Sequence, residues 1–411
     1  MKNWAGNITF SAATIERPKS VEAIQEVVQQ STKLRVVGSG HSFNKIADTT
    51  GTLVTLADLP RYTSVNAEAK TITVSAGMTY AEILPALSEA RLGLAAAASL
   101  PHITVAGATA TSTHGSGNTN KNLSAAVSAL KLILANGELV TLQRGDADFD
   151  GAVVNLGALG IVTEVTLDTV PDYDISQSVF TDLPVSTVLE NFDAITGSAY
   201  SVSMFTRWTG KHVDQLWQKA LTSAYNPAQT AFGAKLATKA HHPIPELDGN
   251  ACTTQGGIAG PWHDRLFHFP ATTTPSAGNE LQSEFYVDRK NAVEAFEAIH
   301  RVQSAISPAL LVSEVRTIAA DTLWLSGAFG RDTVGFHFTW KPDAAAVSKA
   351  VDVIENALSN LEARPHWAKV FNMAPSVVQS RYSKLSDFRR LAERFDPTGK
   401  FRNAYISDLL F

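Results

Sequence analysis

With a single cysteine, Cys252, the 411-residue chain can build neither an internal disulfide framework nor a CxxC metal or redox motif. Such sparing use fits a reducing compartment, and a cytoplasmic protein is expected. Met1 to Arg17 lacks the apolar core of a secretory signal, and the longest apolar run, near Leu92 to Leu100, is Ala-rich and too short to span a bilayer. No basic block is present either. Thirty-four Lys plus Arg stand against 39 Asp plus Glu, a net charge of -5, which argues against a nucleic-acid partner. Of eleven histidines only His241 and His242 adjoin, without a further ligand at metal-binding spacing, so no metal site is expected. Short-period repeats are missing, which excludes a solenoid. What remains is an ordinary folded composition, 45% hydrophobic with 26 Gly and 17 Pro, long enough for two or three domains and read as a monomer.

Val21, Ile24, Val27 and Val28 mark one face of a helix starting after Ser20, followed by a buried strand Leu34 to Val37. A second unit has strand Thr71 to Ser75 and a helix from about Tyr80 with Ile83, Leu84 and Leu87 on one side. Ser99 to Asn120, rich in Gly, Ser and Thr, lacks periodicity and reads as a long loop that something must hold. Leu130, Leu132 and Leu134 alternate up to Asn136-Gly137, where Leu139 to Leu142 resumes the pattern, a hairpin signal. Residues 209 to 280 give no clear periodicity and receive no detailed assignment. Beyond them, strands Leu281 to Val287, Leu310 to Thr317 and Val334 to Trp340 and helices Asn291 to Ile306 and Ala344 to Leu361 make an α+β layer. The tail Asp387 to Phe411 reads as helical and then irregular, with a turn at Asp396-Pro397-Thr398-Gly399.

The first strand runs straight into Gly38-Ser39-Gly40-His41-Ser42-Phe43. A dinucleotide fingerprint would need a third glycine where Phe43 stands and a helix beginning near His41, so a Rossmann nicotinamide site is disfavoured. Glycine-flanked N–H groups instead suit a concave nest for phosphate oxygens, although a lone GxG is more often a plain turn. A second loop shifts that balance. Pro101 to Gly107 and Thr111-Ser112-Thr113-His114-Gly115-Ser116-Gly117 offer many main-chain donors and hydroxyls and almost no charge, an inventory suited to a bulky dianionic cofactor.

In the second half, three strands interrupt their apolar pattern with polar residues two apart: Gln282 and Glu284, Glu314 and Arg316, His337 and Thr339. Each pair must share a face. Helices can cover the opposite face, leaving the polar one to line a cavity or meet solvent. The mixture of amide, hydroxyl, carboxylate and guanidinium favours a cavity for a polyhydroxylated substrate. His366 and Lys369, three apart, would share one face of a turn, and burial beside Arg316 would lower the lysine's pKa.

The Gly38 to Phe43 segment, the Thr111 to Gly117 loop and Gly157-Ala158-Leu159-Gly160-Ile161-Val162 together resemble the FAD-binding segments of vanillyl-alcohol oxidase type flavoproteins, and the whole chain resembles the alditol (xylitol) oxidases among them. The resemblance implies the α+β, two-domain, PCMH-type FAD-binding fold. Its parts would be an FAD domain at 1–172, a substrate domain at 173–364 with a helix-covered antiparallel sheet, and a C-terminal segment at 365–411 returning to the FAD domain. It implies FAD carried covalently on His41, cradled by Val37, Gly38, Ser39, Gly40 and Ser42 from the first loop. Ser99, Thr104, Gly107, Thr111, Ser112, Thr113 and His114 would follow from the second, with Val162 and His366. The polyol would meet Ser99, Gln282, Glu314, Arg316, Thr339 and Lys369, with Arg316, Lys369 and Glu314 catalytic and dioxygen as acceptor. Phe-Thr-Trp at Thr339, His-Trp-x-Lys at Lys369 and the Asp396 to Phe401 turn are shared with aldonolactone oxidases. A lactone substrate, another electron acceptor, or a catalytically silent flavin-containing carbohydrate-binding protein are therefore the rival readings.

Overall fold

A computed structural model describes residues 1–221, 229–272 and 280–411; parts of the unassigned 209–280 stretch, 222–228 and 273–279, lie outside the described residues. Near the N-terminus, Ser20 caps the helix Val21–Gln30 through its Oγ, which accepts from the Ala23 N–H, and Ile24 and Val28 point into the core. Thr79 and Glu82 form a reciprocal capping box for the helix Tyr80–Glu89, which buries Ile83, Leu84 and Leu87. These helices accompany a small parallel sheet, ordered Thr14–Glu16, Thr52–Thr55, Leu34–Val37, and an antiparallel sheet ordered Thr63–Asn66, Thr71–Ser75, Ile161–Asp168, Val127–Ile133, Leu139–Gln143. The last two strands are the expected hairpin. Its turn has three residues, Ala135, Asn136 and Gly137, because the Gly137 N–H closes on the Leu134 carbonyl and Gly137 then takes a positive φ of 86°.

The second half is one large antiparallel sheet in which Ser201–Thr206, Leu310–Ile318, Thr333–Trp340 and Leu281–Asp288 lie side by side. One face packs on the helices Val185–Thr196, Ala292–Arg301 and Ala344–Ala357: Val315, Phe285, Phe336, Phe338 and Trp340 meet Phe192, Phe296, Val351 and Ile354 in a single buried cluster. Each such side chain contributes roughly 1.5–3 kcal/mol by leaving water. The alternate positions must therefore face the other way, toward the first half.

Several expectations need correction. The long loop from Ser99 holds a short helix, Val105–Ala110, whose six residues are too few to show a 3.6-residue period. The helix expected to run to Ile306 breaks at Val302, and the one expected to reach Leu361 ends at Ala357 in a 3₁₀ turn. After the Asp396 turn the tail forms another helix, Ala404–Leu410, capped by Asn403. Within the unassigned stretch lies a long strand, His212–Leu221, whose pattern is hidden because both of its faces are buried.

Candidate functional site

Between the sheets of the first half and the large sheet lies a cavity of about 450 Å³, within the usual range of ligand sites. One side of it is main chain. The Leu34–Val37 strand delivers Gly38 to Ser42 into the wall, and the helix Val105–Ala110 with the loop after it delivers Gly107, Thr111, Thr113 and His114. The two segments interlock at Thr104: a Cβ on Gly38 would stand 2.2 Å from its Oγ1, and one on Gly107 2.7 Å. Glycine is thus required for the backbones to approach. Two charged side chains of this wall are spoken for. Arg35 is buried and donates to the carbonyls of Gly157, Phe401, Leu156 and Ile46, tying three chain segments behind the glycine loop, and Arg61 is paired with Glu82 at 3.0 Å.

His41 stands on this wall with its ring stacked on Trp4, centroids 4.1 Å apart. Neither ring nitrogen has a hydrogen-bond partner among the described residues, and Nε2 is buried. Burial, then the charges of Lys369 and His102, push its pKa down to about 4, so the imidazole is neutral near pH 7.

The opposite wall is built from buried charge. Glu284, from the Leu281–Asp288 strand, is its hub: Oε1 accepts from His114 Nε2 at 2.8 Å and Arg316 Nη2 at 3.2 Å, and Oε2 accepts from Lys369 Nζ at 2.7 Å. Burial pushes this carboxyl up, but Lys369, His114 and Arg316 outweigh burial and hold it well below the usual carboxylate range. Glu314 is likewise held down, against burial, by Arg316 and His268; its Oε1 accepts from His268 Nε2 at 2.8 Å, and its Oε2 lies 3.5 Å from Arg316 Nε. Arg316 Nη1 reaches Ser99 Oγ at 3.5 Å.

Lys369 also donates to His337 Nδ1 at 2.7 Å, which leaves the proton of that neutral ring on Nε2 to donate to Thr339 Oγ1 at 3.1 Å. Burial first, then Arg316, lowers the Lys369 pKa. A turn closed by the Lys369 N–H on the His366 carbonyl brings those two together, and the His366 N–H bonds the Glu284 carbonyl. Gln282 donates its amide to Glu280, whose carboxyl burial pushes up to about 7.

Every residue expected to touch cofactor or substrate lines this one cavity, Val37, Ser39, Gly40, Ser42 and Val162 included, with one exception. Ser112 is turned away: its Oγ joins Asn122, Ser326 and the Gly327 N–H in a separate buried network. A positive φ of 58° at Ser112 reverses the chain there, and nothing in the Thr-Ser-Thr pattern announces it. Glu284 and His337 are legible in the sequence as strand-face positions, but not as a hub of three hydrogen bonds and as the ring that Lys369 orients. No sequence pattern singles out His268, Glu280 or Arg35; the first two lie where no periodicity exists to find them.

The architecture over the whole chain is similar to that of cholesterol oxidase from Brevibacterium sterolicum, at a TM-score of 0.80 and 16% identity, covering 100% of this chain and 96% of that one. It is also similar to xylooligosaccharide oxidase from Myceliophthora thermophila C1, at 0.75 and 15%, covering 98% and 92%. Residues 12–143 match the FAD binding domain family and residues 277–409 the D-arabinono-1,4-lactone oxidase family. Fold and site thus define an FAD-linked oxidoreductase of the PCMH type. Alditol oxidase from a Streptomyces species is 44% identical over 411 residues, covering 99% of this chain and 98% of the relative. L-gulono-1,4-lactone dehydrogenase from Mycobacterium tuberculosis is 29% identical over 428 residues, covering 99% and 98%. The chain belongs to the alditol oxidase family. The residues present fit FAD: a charge-poor main-chain cradle that a Cβ at Gly38 or Gly107 would fill, and an unpartnered neutral imidazole beside it. No helix among the described residues is long and apolar enough to cross a membrane.

Proposed function

We propose that this protein oxidises the terminal carbinol of a linear polyol such as xylitol to an aldose, with dioxygen reduced to hydrogen peroxide, in a reducing, cytoplasmic setting. The observation that carries this reading is the Glu284, Arg316 and Lys369 cluster opening on the same cavity as His41. We assign residues 1–172 to the FAD unit and 173–364 to the substrate unit, with 365–411 returning to the first; Asn44 bonding the Trp367 and Lys369 carbonyls supports that return.

Bound FAD would supply the hydride acceptor and the redox link to dioxygen. His41 would hold it covalently, and its neutral ring is the nucleophilic form. Gly38 to Ser42, Gly107, Thr111 and Thr113 would receive the phosphates and ring edges through main-chain donors. Arg316 and Lys369 would meet the reacting hydroxyl and stabilise the alkoxide-like charge that grows as hydride leaves, an effect worth about 3 kcal/mol per preorganised donor. The lowered pKa of Lys369 brings its amine closer to taking the hydroxyl proton. Ser99, Gln282, Glu314 and Thr339 would read the remaining hydroxyls, because a buried polar group left unpaired by the wrong substrate costs about 1–3 kcal/mol.

Peroxide yield with xylitol against L-gulonolactone tests the substrate. The lactone-oxidase family match of residues 277–409 makes the lactone the one rival with an observation behind it. Acid-denatured protein should keep a yellow chromophore that His41→Ala lacks; flavin released freely by acid would refute the covalent bond. Failure of both anaerobic polyol and anaerobic L-gulonolactone to bleach the flavin would leave only a carbohydrate-binding role.

A further inference from the structure

The strand His212–Leu221 carries an interior lysine that the reading above does not use. Lys219 is 1% exposed, and its Nζ meets three acceptors: the Leu266 carbonyl at 2.6 Å, the Phe267 carbonyl at 2.9 Å and His268 Nδ1 at 3.1 Å. Burial pushes the Lys219 pKa down to about 7, but the ionised Glu314 can only accept from His268 Nε2, so the ring proton belongs on Nε2, Nδ1 is bare, and three acceptors around Nζ call for the three N–H groups of an ammonium. Burial, with Lys219, pushes the His268 pKa down to about 4, so the ring is neutral near pH 7. Its one proton then sits on Nε2, which donates to Glu314 Oε1 at 2.8 Å. Both His268 and Glu314 line the cavity.

The same construction stands nearby in the sheet, where Lys369 on His337 Nδ1 sends the Nε2 proton to Thr339. Two neutral imidazoles, each set by a lysine, thus present one proton to an acceptor on the cavity wall. A buried lysine is a costly way to fill space, since an apolar side chain of that length would pack there without a desolvation penalty.

We propose that Lys219 and His268 are positioning residues that hold Glu314 in one rotamer as an ionised acceptor, so that its remaining lone pairs select a substrate carrying a hydroxyl donor at that point. The inference rests on the polyol reading and deepens it. The plain alternative is that Lys219 only anchors the Leu266 and Phe267 carbonyls to the strand.

Flavin-loaded full-length protein separates the two. Steady-state kinetics are measured with xylitol and its monodeoxy analogues for the wild type, Lys219→Met, His268→Phe and His268→Gln. Histidine-labelled wild type and Lys219→Met are compared by ¹⁵N NMR. His268→Phe should raise KM for xylitol about tenfold with a smaller change in kcat and in flavin content, the size expected for one lost charged hydrogen bond. His268→Gln, which keeps an N–H donor, should recover most of that loss. The penalty for the deoxy analogue that lacks the selected hydroxyl should shrink in the Phe variant, and His268 should titrate as the Nε2–H tautomer in the wild type and lose that preference in Lys219→Met. A wild-type His268 protonated on Nδ1, or equal KM and equal deoxy penalties across Phe, Gln and wild type, would overturn the inference even if Lys219→Met does not fold. A wild type that oxidises no polyol would instead defeat the functional reading, and this inference with it.

Discussion

The two walls of the cavity are built from opposite materials. The wall proposed for the cofactor is main chain: Gly38 and Gly107 close on Thr104, and the buried guanidinium of Arg35 is taken up by four carbonyls. The wall proposed for the substrate is charge: Arg316 and Lys369 balance Glu284 and Glu314 largely out of solvent. A resident, permanently charged cofactor can be held by fixed dipoles that need no counter-charge. A neutral alcohol gains charge only as it reacts, so its wall must keep cations in place beforehand and neutralise them with carboxylates the substrate does not disturb. Substitutions should therefore fail differently on the two sides.

The largest effect is expected at Lys369. Lys369→Met should lower kcat by about 10²–10³-fold, the loss typical of one transition-state donor, while flavin content stays near that of the wild type. Absorbance of the purified variant and single-turnover reduction by polyol check this together. A colourless variant would make Lys369 a support for the cofactor wall and erase the contrast.

Next comes the acid response of stability, which the charged wall should govern. His337 is lowered from 6.5 to about 4, burial being the main cause and Lys369 the next. A histidine whose folded pKa lies below its unfolded value binds fewer protons when folded, so its penalty is absent above about 6.5 and grows as pH falls toward 4. His268 and His41 add to this in the same window. Glu280 and Glu355, raised to about 7, gain protons on folding in the same window and oppose the histidines, so the comparison is between chains: in thermal melts, relative to the wild type, His337→Gln should gain about 1 kcal/mol per pH unit as pH falls from 6.5 to 4. An unchanged slope would mean that His337 is not kept neutral by its neighbours.

Gly38→Ala attacks the other wall. With its Cβ 2.2 Å from Thr104 Oγ1, the added methyl should cost about 1–3 kcal/mol of stability and lower flavin content. Thr104→Ala in the same chain should restore both, because it removes the atom that clashes. Failure of that rescue would place the cause elsewhere in the loop.

How much of this was legible in sequence follows from the same contrast. Gly38-Ser39-Gly40 after a buried strand, and polar residues two apart on three strands, are periodic or compositional signals, and they located both walls. Glu284 shows the limit. Its side of the strand follows from Gln282 two residues earlier, but its role as hub depends on His114, Arg316 and Lys369 arriving from three other segments, and no local pattern encodes that convergence. Lys219 and His268 were illegible for a related reason: a strand buried on both faces does not alternate, and the segment holding His268 has no regular element.

Ser112 sets the smallest expected effect and the sharpest test of where the cofactor wall ends. In sequence it sits between Thr111 and Thr113, both on the cavity, yet its hydroxyl accepts from the Gly327 N–H at 3.2 Å and from Asn122 at 3.2 Å, away from the ligand space. Ser112→Ala leaves those donors to weaker alternatives; Asn122 retains Asp321 and Ser326, so the cost should be only about 1 kcal/mol. Melting temperature should drop by a few degrees while flavin content, kcat and KM stay put. A loss of flavin from this variant would show that the main-chain wall extends through the reversed residue, and that the hydroxyl network behind it is part of what shapes the cradle.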